Sequence, residues 1–107
     1  MALYLKNKKK IETIFEKGFT INGDGLLFKG YDFKDDEIKY GVSVSKKLFP
    51  LAVDRNLIKR RVKEQAKRVK LIGFVSKGVS FFLIYTSKQI LHSNEIKRSI
   101  EGLCQKL

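Results

Sequence analysis

A run of basic residues between positions 55 and 70 is the strongest chemical signal in the sequence. It holds eight lysines and arginines but a single acid, Glu64. A charged helix face is usually a solvated surface, but such a surface normally alternates its basic residues with acids that form i,i+4 pairs. Ammonium and guanidinium groups bind phosphate oxygens. The run therefore predicts contact with a polyanion, and Lys46 and Lys47 extend the same positive region.

The charge of the whole chain supports this interpretation. Its 107 residues include 23 Lys and Arg against 11 Asp and Glu, a formal net charge of +12. Such a surplus favours nucleic acid or an anionic membrane as partner. A membrane-bound basic helix usually carries Trp, Phe or Leu anchors, whereas the apolar positions here are mainly β-branched residues and alanine. We therefore expect a nucleic-acid partner and no membrane.

No residues form a convincing protein active site. His92 has no base or nucleophile partner at a recognisable spacing. Asp35, Asp36 and Glu37 could bind Mg²⁺, but an acidic turn between strands is the commoner explanation. One histidine and one cysteine exclude a Cys/His zinc site, and Cys104 fits a small core residue. We predict no catalytic residue, metal or cofactor bound by the protein alone.

Length and composition predict one domain over residues 1–107, located in the cytoplasm. The hydrophobic content of 43% is enough for a core. No apolar run approaches the ~20 residues that span a bilayer. A lone cysteine cannot form an intramolecular disulfide, which fits a reducing compartment.

The spacing of apolar residues predicts the elements that position the basic run. Helical spacing occurs at residues 8–17, at 54–70 and from Ser93 onward, where an apolar stripe includes Leu107. We expect Gly18 to end the first helix in a left-handed conformation, and Ser93 and either Asp54 or Asn56 to be N-caps. Alternating patterns at 26–33 and 38–45 predict two strands paired as a hairpin. Residues 79–86 are apolar on both faces, which predicts a strand near the middle of the sheet.

These elements predict an α/β (α+β) two-layer sandwich in which helices pack on a small mixed sheet. We expect the order α-β-β-β-α-β-α, which includes one more strand before the second helix than the two alternating patterns supply. In the strand at 38–45, Lys39, Gly41, Ser43 and Ser45 share the face away from the core. Phe28 and Tyr40 fall on core positions. Phe15 fits equally well as a core residue or as an RNA-stacking platform.

Two segments resemble the signature of the bacterial ribonuclease P protein component: Gly41-Val42-Ser43-Val44-Ser45-Lys46-Lys47 and Ala52-Val53-Asp54-Arg55-Asn56-Leu57-Ile58-Lys59-Arg60. Phe15-Glu16-Lys17-Gly18 extends the resemblance to the first helix. The protein of that family assists a catalytic RNA that cleaves the 5′ leader from precursor tRNA. The resemblance implies a monomeric accessory subunit, one copy per RNA, in a holoenzyme that requires Mg²⁺. It also implies a left-handed crossover between two parallel strands.

The resemblance implies two RNA-binding surfaces. The residues that would contact the catalytic RNA are Arg55, Asn56, Lys59 and Arg60, and the basic residues of the same helix continue to Lys63 and Lys67. The cleft that would hold the single-stranded leader is lined by Phe15, Leu27, Lys29, Tyr31, Lys39, Ser43, Ser45, Lys46 and Lys47. Leu57 and Lys63 stand where many members have arginine, and residues 48–51 replace a Gly-Asn-containing connection. A non-catalytic RNA-binding or ribosome-associated protein of the same fold is the alternative function.

Overall fold

The computed structural model describes residues 5–107, and its elements follow the predicted order α-β-β-β-α-β-α. The helices are α1 (Lys8–Lys17), α2 (Ala52–Val69) and α3 (Ser93–Lys106). The strands are β1 (Phe19–Asn22), β2 (Leu26–Asp32), β3 (Tyr40–Val44) and β4 (Val79–Tyr85). A short 3-10 helix, Leu71–Phe74, follows α2. Among these helices, none has the length and apolar character needed to cross a membrane.

The four strands form one mixed sheet in the order β1-β2-β4-β3. The predicted hairpin between β2 and β3 is wrong, because β4 lies between them, antiparallel to β2 and parallel to β3. The strand that is apolar on both faces, β4, takes an internal position in the sheet, as predicted. The hairpin that does form joins β1 to β2 through a turn at residues 23–25, in which Gly25 has a φ of 80°. The left-handed sense of the β3-α2-β4 crossover stays a prediction.

One face of the sheet is covered by α2 and α3, as the apolar periodicity predicted. The residues that meet there are buried: Leu26, Phe28, Phe81, Leu83 and Tyr85 from the sheet, Ile58, Val62 and Ala66 from α2, and Ile96, Ile100, Leu103 and Cys104 from α3. The predicted core position of Cys104 is confirmed, whereas Leu107 is exposed because α3 ends at Lys106.

Helix α1 lies on the opposite face of the sheet, where Phe15 contacts Phe82 of β4. The helix is tied down by Lys10, whose Nζ lies 2.7 Å from Oδ2 of Asp35 and 4.9 Å from the centroid of the Phe33 ring. The segment before α1 is attached to the edge of β3, because the Leu5 N–H donates to the Tyr40 carbonyl. These contacts fix α1 over one end of the sheet.

Gly18 ends α1 as predicted, but its left-handed conformation and the predicted N-caps of α2 and α3 are wrong. Gly18 is extended (φ −67°), and glycine is needed there because a Cβ would clash with the Ile14 carbonyl and lie 2.7 Å from the Gly30 carbonyl oxygen. The N-cap of α2 is Leu51, which has no side-chain capping bond. Asp54 instead lies in the first turn, where its charge complements the helix dipole, and Asn56 is inside the helix. The N-cap of α3 is His92 rather than Ser93.

Candidate nucleic-acid interface

The outer side of α2 carries a stripe of polar and basic side chains. Its members recur at i, i+3, i+4, i+7 and i+11, and we call them the basic stripe: Asn56, Lys59, Arg60, Lys63 and Lys67. Asn56, Arg60 and Lys67 are exposed, while Lys59 and Lys63 are half-buried. At 1.5 Å per residue the stripe is about 16 Å long. It can therefore contact several phosphates of one RNA strand.

Arg55 does not lie on this stripe. Its Nη1 donates to the carbonyls of Phe49 and Pro50, each at 2.8 Å. Two of its five N–H donors therefore hold the connection between β3 and α2. Arg61 has a comparable role, because its Nη1 donates to the Leu91 carbonyl at 2.7 Å and ties α2 to the segment before α3. Contact between Arg55 and RNA stays a prediction. The structure gives Arg55 a structural role as well, because it holds the connection between β3 and α2.

A second surface lies on the sheet face that carries α1. Strand register places Leu27, Ile84 and Ser43 in one row across the sheet and Lys29, Phe82 and Gly41 in the next. Residues paired in register point to the same side of the sheet. Except for buried Gly41, these residues are half-buried. They form an apolar floor with an ammonium group at its side.

Phe15 forms a wall beside this floor. Its side chain is 43% exposed, and its ring centroid lies 5.3 Å from that of Phe82. Phe15 is therefore not a core residue, although its role in leader binding stays a prediction. From here on, the wall and the floor together are called the cleft. A half-exposed aromatic pair beside a lysine suits an unpaired base and its phosphate.

The remaining predicted cleft residues lie around its margin. Lys39 precedes β3 and pairs with Glu37 at 3.5 Å, and Tyr31 packs edge-on against Phe33 at 4.9 Å. At the other end of β3, Ser45 Oγ accepts hydrogen bonds from the N–H groups of Lys47 and Leu48. This turn presents the exposed side chains of Lys46 and Lys47. Because the turn leads directly into α2, it joins the cleft to the basic stripe.

Phe82 and Ile84 are two floor residues that the sequence did not identify. The apolar character of both faces of the strand at 79–86 was the available signal, but it did not show which strand lies next to β4. The two aromatic residues assigned to the core behave as predicted. Phe28 is fully buried, and Tyr40 stacks on Phe81 with centroids 5.1 Å apart.

The acidic segment at residues 35–37 is a turn. Oδ1 of Asp35 accepts from the Glu37 N–H at 3.0 Å, and Oδ2 accepts from Lys10. These bonds lower the pKa of the Asp35 carboxyl below its ordinary value, and the bond from Lys10 has the largest effect. Within residues 5–107, no group of three or more His, Cys, Asp and Glu side chains is placed to hold a metal ion. Burial raises the pKa of the Cys104 thiol, as suits a core residue.

Comparison with known proteins identifies the family that shares this arrangement. Residues 2–107 match the family described as Ribonuclease P. The chain belongs to the ribonuclease P protein family. A ribonuclease P protein component from Staphylococcus haemolyticus (strain JCSC1435) is 35% identical over 66 residues, which are 62% of this chain and 57% of that relative. The matched segment thus spans less than two thirds of the relative's length.

Two solved ribonuclease P proteins have the same fold. The Staphylococcus aureus protein superposes with a TM-score of 0.80 at 26% identity, covering 99% of this chain and 95% of that one. The Thermotoga maritima protein also gives 0.80, at 21% identity, covering 97% and 96%. At this lower identity the second comparison supports the fold alone. The predicted α+β class, with helices packed on a small mixed sheet, is confirmed.

Proposed function

We propose that this chain is the protein subunit of a ribonuclease P ribonucleoprotein, and that it assists the endonucleolytic removal of the 5′ leader from precursor tRNA. The observation that carries the proposal is the junction of two different surfaces at residues 45–51. The basic stripe offers cations to a folded RNA, and the cleft offers apolar and aromatic contacts to an unpaired strand. Family membership supports the assignment of these surfaces to the catalytic RNA and the leader.

The side chains of each surface indicate which RNA that surface would bind. Arg60 and Lys67 are exposed and would bind phosphates of the catalytic RNA without reading its sequence. Phe15 and Phe82 would contact bases of the leader. Because each base has an apolar face, such contacts tolerate any leader sequence. This tolerance suits a subunit that must act on many precursors.

We further propose that the RNA, not the protein, holds the catalytic Mg²⁺. The donor set supports this, because Lys10 already pairs with Asp35 and lies 3.8 Å from Glu37. His92 is exposed and is the N-cap of α3. The protein residues therefore bind and orient RNA and neutralise its charge. Fewer Mg²⁺ ions should then be needed to fold the catalytic RNA and to bind the precursor tRNA to it.

Reconstitution tests the proposal. The chain is combined with the ribonuclease P RNA of the same genome and a leader-bearing precursor tRNA at low Mg²⁺. We expect faster leader cleavage and a lower Mg²⁺ requirement than with RNA alone, and no cleavage by protein alone. RNA binding without any gain in cleavage would favour the alternative of a non-catalytic RNA-binding protein. Cleavage by RNA-free protein that is lost in an Asp35→Asn/Asp36→Asn/Glu37→Gln variant would contradict an RNA-held centre.

A further inference from the structure

The connection between β3 and α2 carries apolar side chains that the fold leaves in solvent. Leu51 is 65% exposed and Val53 is 77% exposed, and Leu48 is also exposed. These three residues, called the apolar tip, lie within six residues of the chain. None of them belongs to the basic stripe or to the cleft.

This exposure is not the result of a loose connection. The Phe49 side chain is buried against Tyr85, with ring centroids 5.7 Å apart, and its N–H donates to the Ser45 carbonyl. Nη1 of Arg55 donates to the carbonyls of Phe49 and Pro50. The backbone is therefore held from both sides. These restraints on the backbone lower the entropy lost when a partner binds the apolar tip.

Folding does not explain the residue types at the tip. Leu51 is the N-cap of α2 and makes no side-chain capping bond. Serine, threonine, aspartate and asparagine stabilise this position, and leucine is among the poorest choices. Val53 lies in the first turn, where a β-branched side chain loses rotamer freedom. Leu51 and Val53 thus lower the stability of the helix and expose apolar surface to water.

The surroundings of the tip indicate what could cover it. Lys46 and Lys47 precede it, and Arg55 and Lys59 follow it on α2, against one acid, Asp54. A polyanion complements this rim of cations, while the tip itself requires an apolar contact. Unpaired RNA offers both, because its phosphates are anionic and the faces of its bases are apolar.

We propose that the apolar tip packs against unstacked bases of the ribonuclease P RNA, beside the phosphates bound by the basic stripe. This inference rests on the proposed function. It adds a non-ionic contact to an interface otherwise made of charges. Such a contact strengthens binding without releasing counterions, so its contribution does not depend on salt.

The test is a double variant, Leu51→Ser/Val53→Ser, in the full chain. Serine supplies the missing N-cap oxygen, so we expect the melting temperature to stay the same or rise. Affinity for the ribonuclease P RNA should fall on the order of tenfold. The slope of log affinity against log salt should not change. In contrast, Lys46→Ala/Lys47→Ala should flatten that slope.

A matched control separates this contact from general surface hydrophobicity. Phe74, in the 3-10 helix beyond the far end of α2, is 54% exposed. Phe74→Ser should leave RNA affinity unchanged. Dimethyl sulfate probing then locates the contact, because bases covered by the tip should be protected in the wild-type complex and reactive when the double variant saturates the RNA.

The outcomes are distinguishable. If the wild-type chain does not bind the RNA, the proposed function fails. If it binds and the double variant binds equally well, only the apolar contact is overturned. The contact is likewise overturned if the double variant loses binding to phosphatidylglycerol-containing vesicles, or loses self-association in sedimentation, while its RNA affinity is unchanged.

Discussion

The ring of Phe82 occupies the space above Gly41, its partner in the parallel pairing of β3 with β4. A Cβ placed on Gly41 would lie only 2.5 Å from Cε1 of Phe82. The same ring contacts Phe15 of α1. The position of the cleft wall thus depends on the absence of a side chain at the edge strand.

Gly41→Ala should shift the Phe82 ring and weaken leader binding. Overpacking of this kind costs about 1–3 kcal/mol of unfolding free energy, which denaturant titration measures. Adding Phe82→Leu should recover part of that stability by removing the clash. The double variant should still bind the leader weakly, because the aromatic floor is gone. Unchanged stability and leader affinity in Gly41→Ala would contradict the arrangement of the cleft.

Phe15→Ala should weaken binding of precursor tRNA to the holoenzyme by about 1–3 kcal/mol, the value of one base–aromatic contact. Binding of mature tRNA should be unchanged. Because Phe15 is 43% exposed, the loss of stability should be roughly 1–2 kcal/mol, below the ~3–5 kcal/mol of a buried phenylalanine. Equilibrium binding and thermal unfolding measure the two effects.

Phe19 supplies the matched control for Phe15. It is 45% exposed and stacks on Phe28, on the face of the sheet that carries α2 and α3. Phe19→Ala should cost similar stability and leave leader affinity unchanged. An equal loss of precursor binding in both variants would indicate a general structural effect rather than a base contact.

The sequence predicts local structure better than strand partners. The apolar stripe of α2 and the central position of β4 follow from periodicity, and the structure confirms both. The hairpin between β2 and β3 fails because β4, about 50 residues downstream of β2, pairs with both strands. Alternation along a strand shows which residues share a face, but it contains no information about which strand lies next to it.

The same limit explains the site residues that the sequence did not identify. Phe82 and Ile84 become floor residues only through their register with Leu27 and Lys29. Arg55 shows a different limit, because its charge predicts RNA contact while its bonds to Phe49 and Pro50 depend on the path of the connection. The basic stripe is predictable because a helix fixes the relative positions of its own side chains.

Lys59→Ala/Arg60→Ala should weaken RNA binding and flatten its salt dependence. Each phosphate contact contributes about 0.7–0.9 to the slope of log affinity against log salt, so two contacts account for about 1.4–1.8. Lys97→Ala/Arg98→Ala removes the same charge from exposed positions on α3 and should change the slope much less. Equal slopes in the two variants would indicate a general electrostatic field rather than a stripe.

The bond between Lys10 and Asp35 should make stability depend on acid pH. The Lys10 hydrogen bond, foremost among several causes, lowers the pKa of Asp35 below its ordinary value of 3.8. A carboxyl with a depressed folded-state pKa stabilises the fold above its unfolded pKa and loses that contribution as the pH falls through the folded value. Wild-type stability should therefore decrease more than that of Asp35→Asn as the pH falls below about 4.

Carboxyl NMR titration of the Lys10→Met variant tests the cause, since the pKa of Asp35 should rise toward its ordinary value when the ammonium is removed. Asp36→Asn is the control, because Asp36 is exposed and its 3.6 Å pair with Lys77 lies at the surface, where an ion pair contributes little to stability. Because Lys10 also holds α1 over the sheet, Lys10→Met should weaken leader binding, though less than Phe15→Ala. A Lys10→Met variant with wild-type leader affinity and an unchanged Asp35 titration would show that this bond does not position the cleft wall.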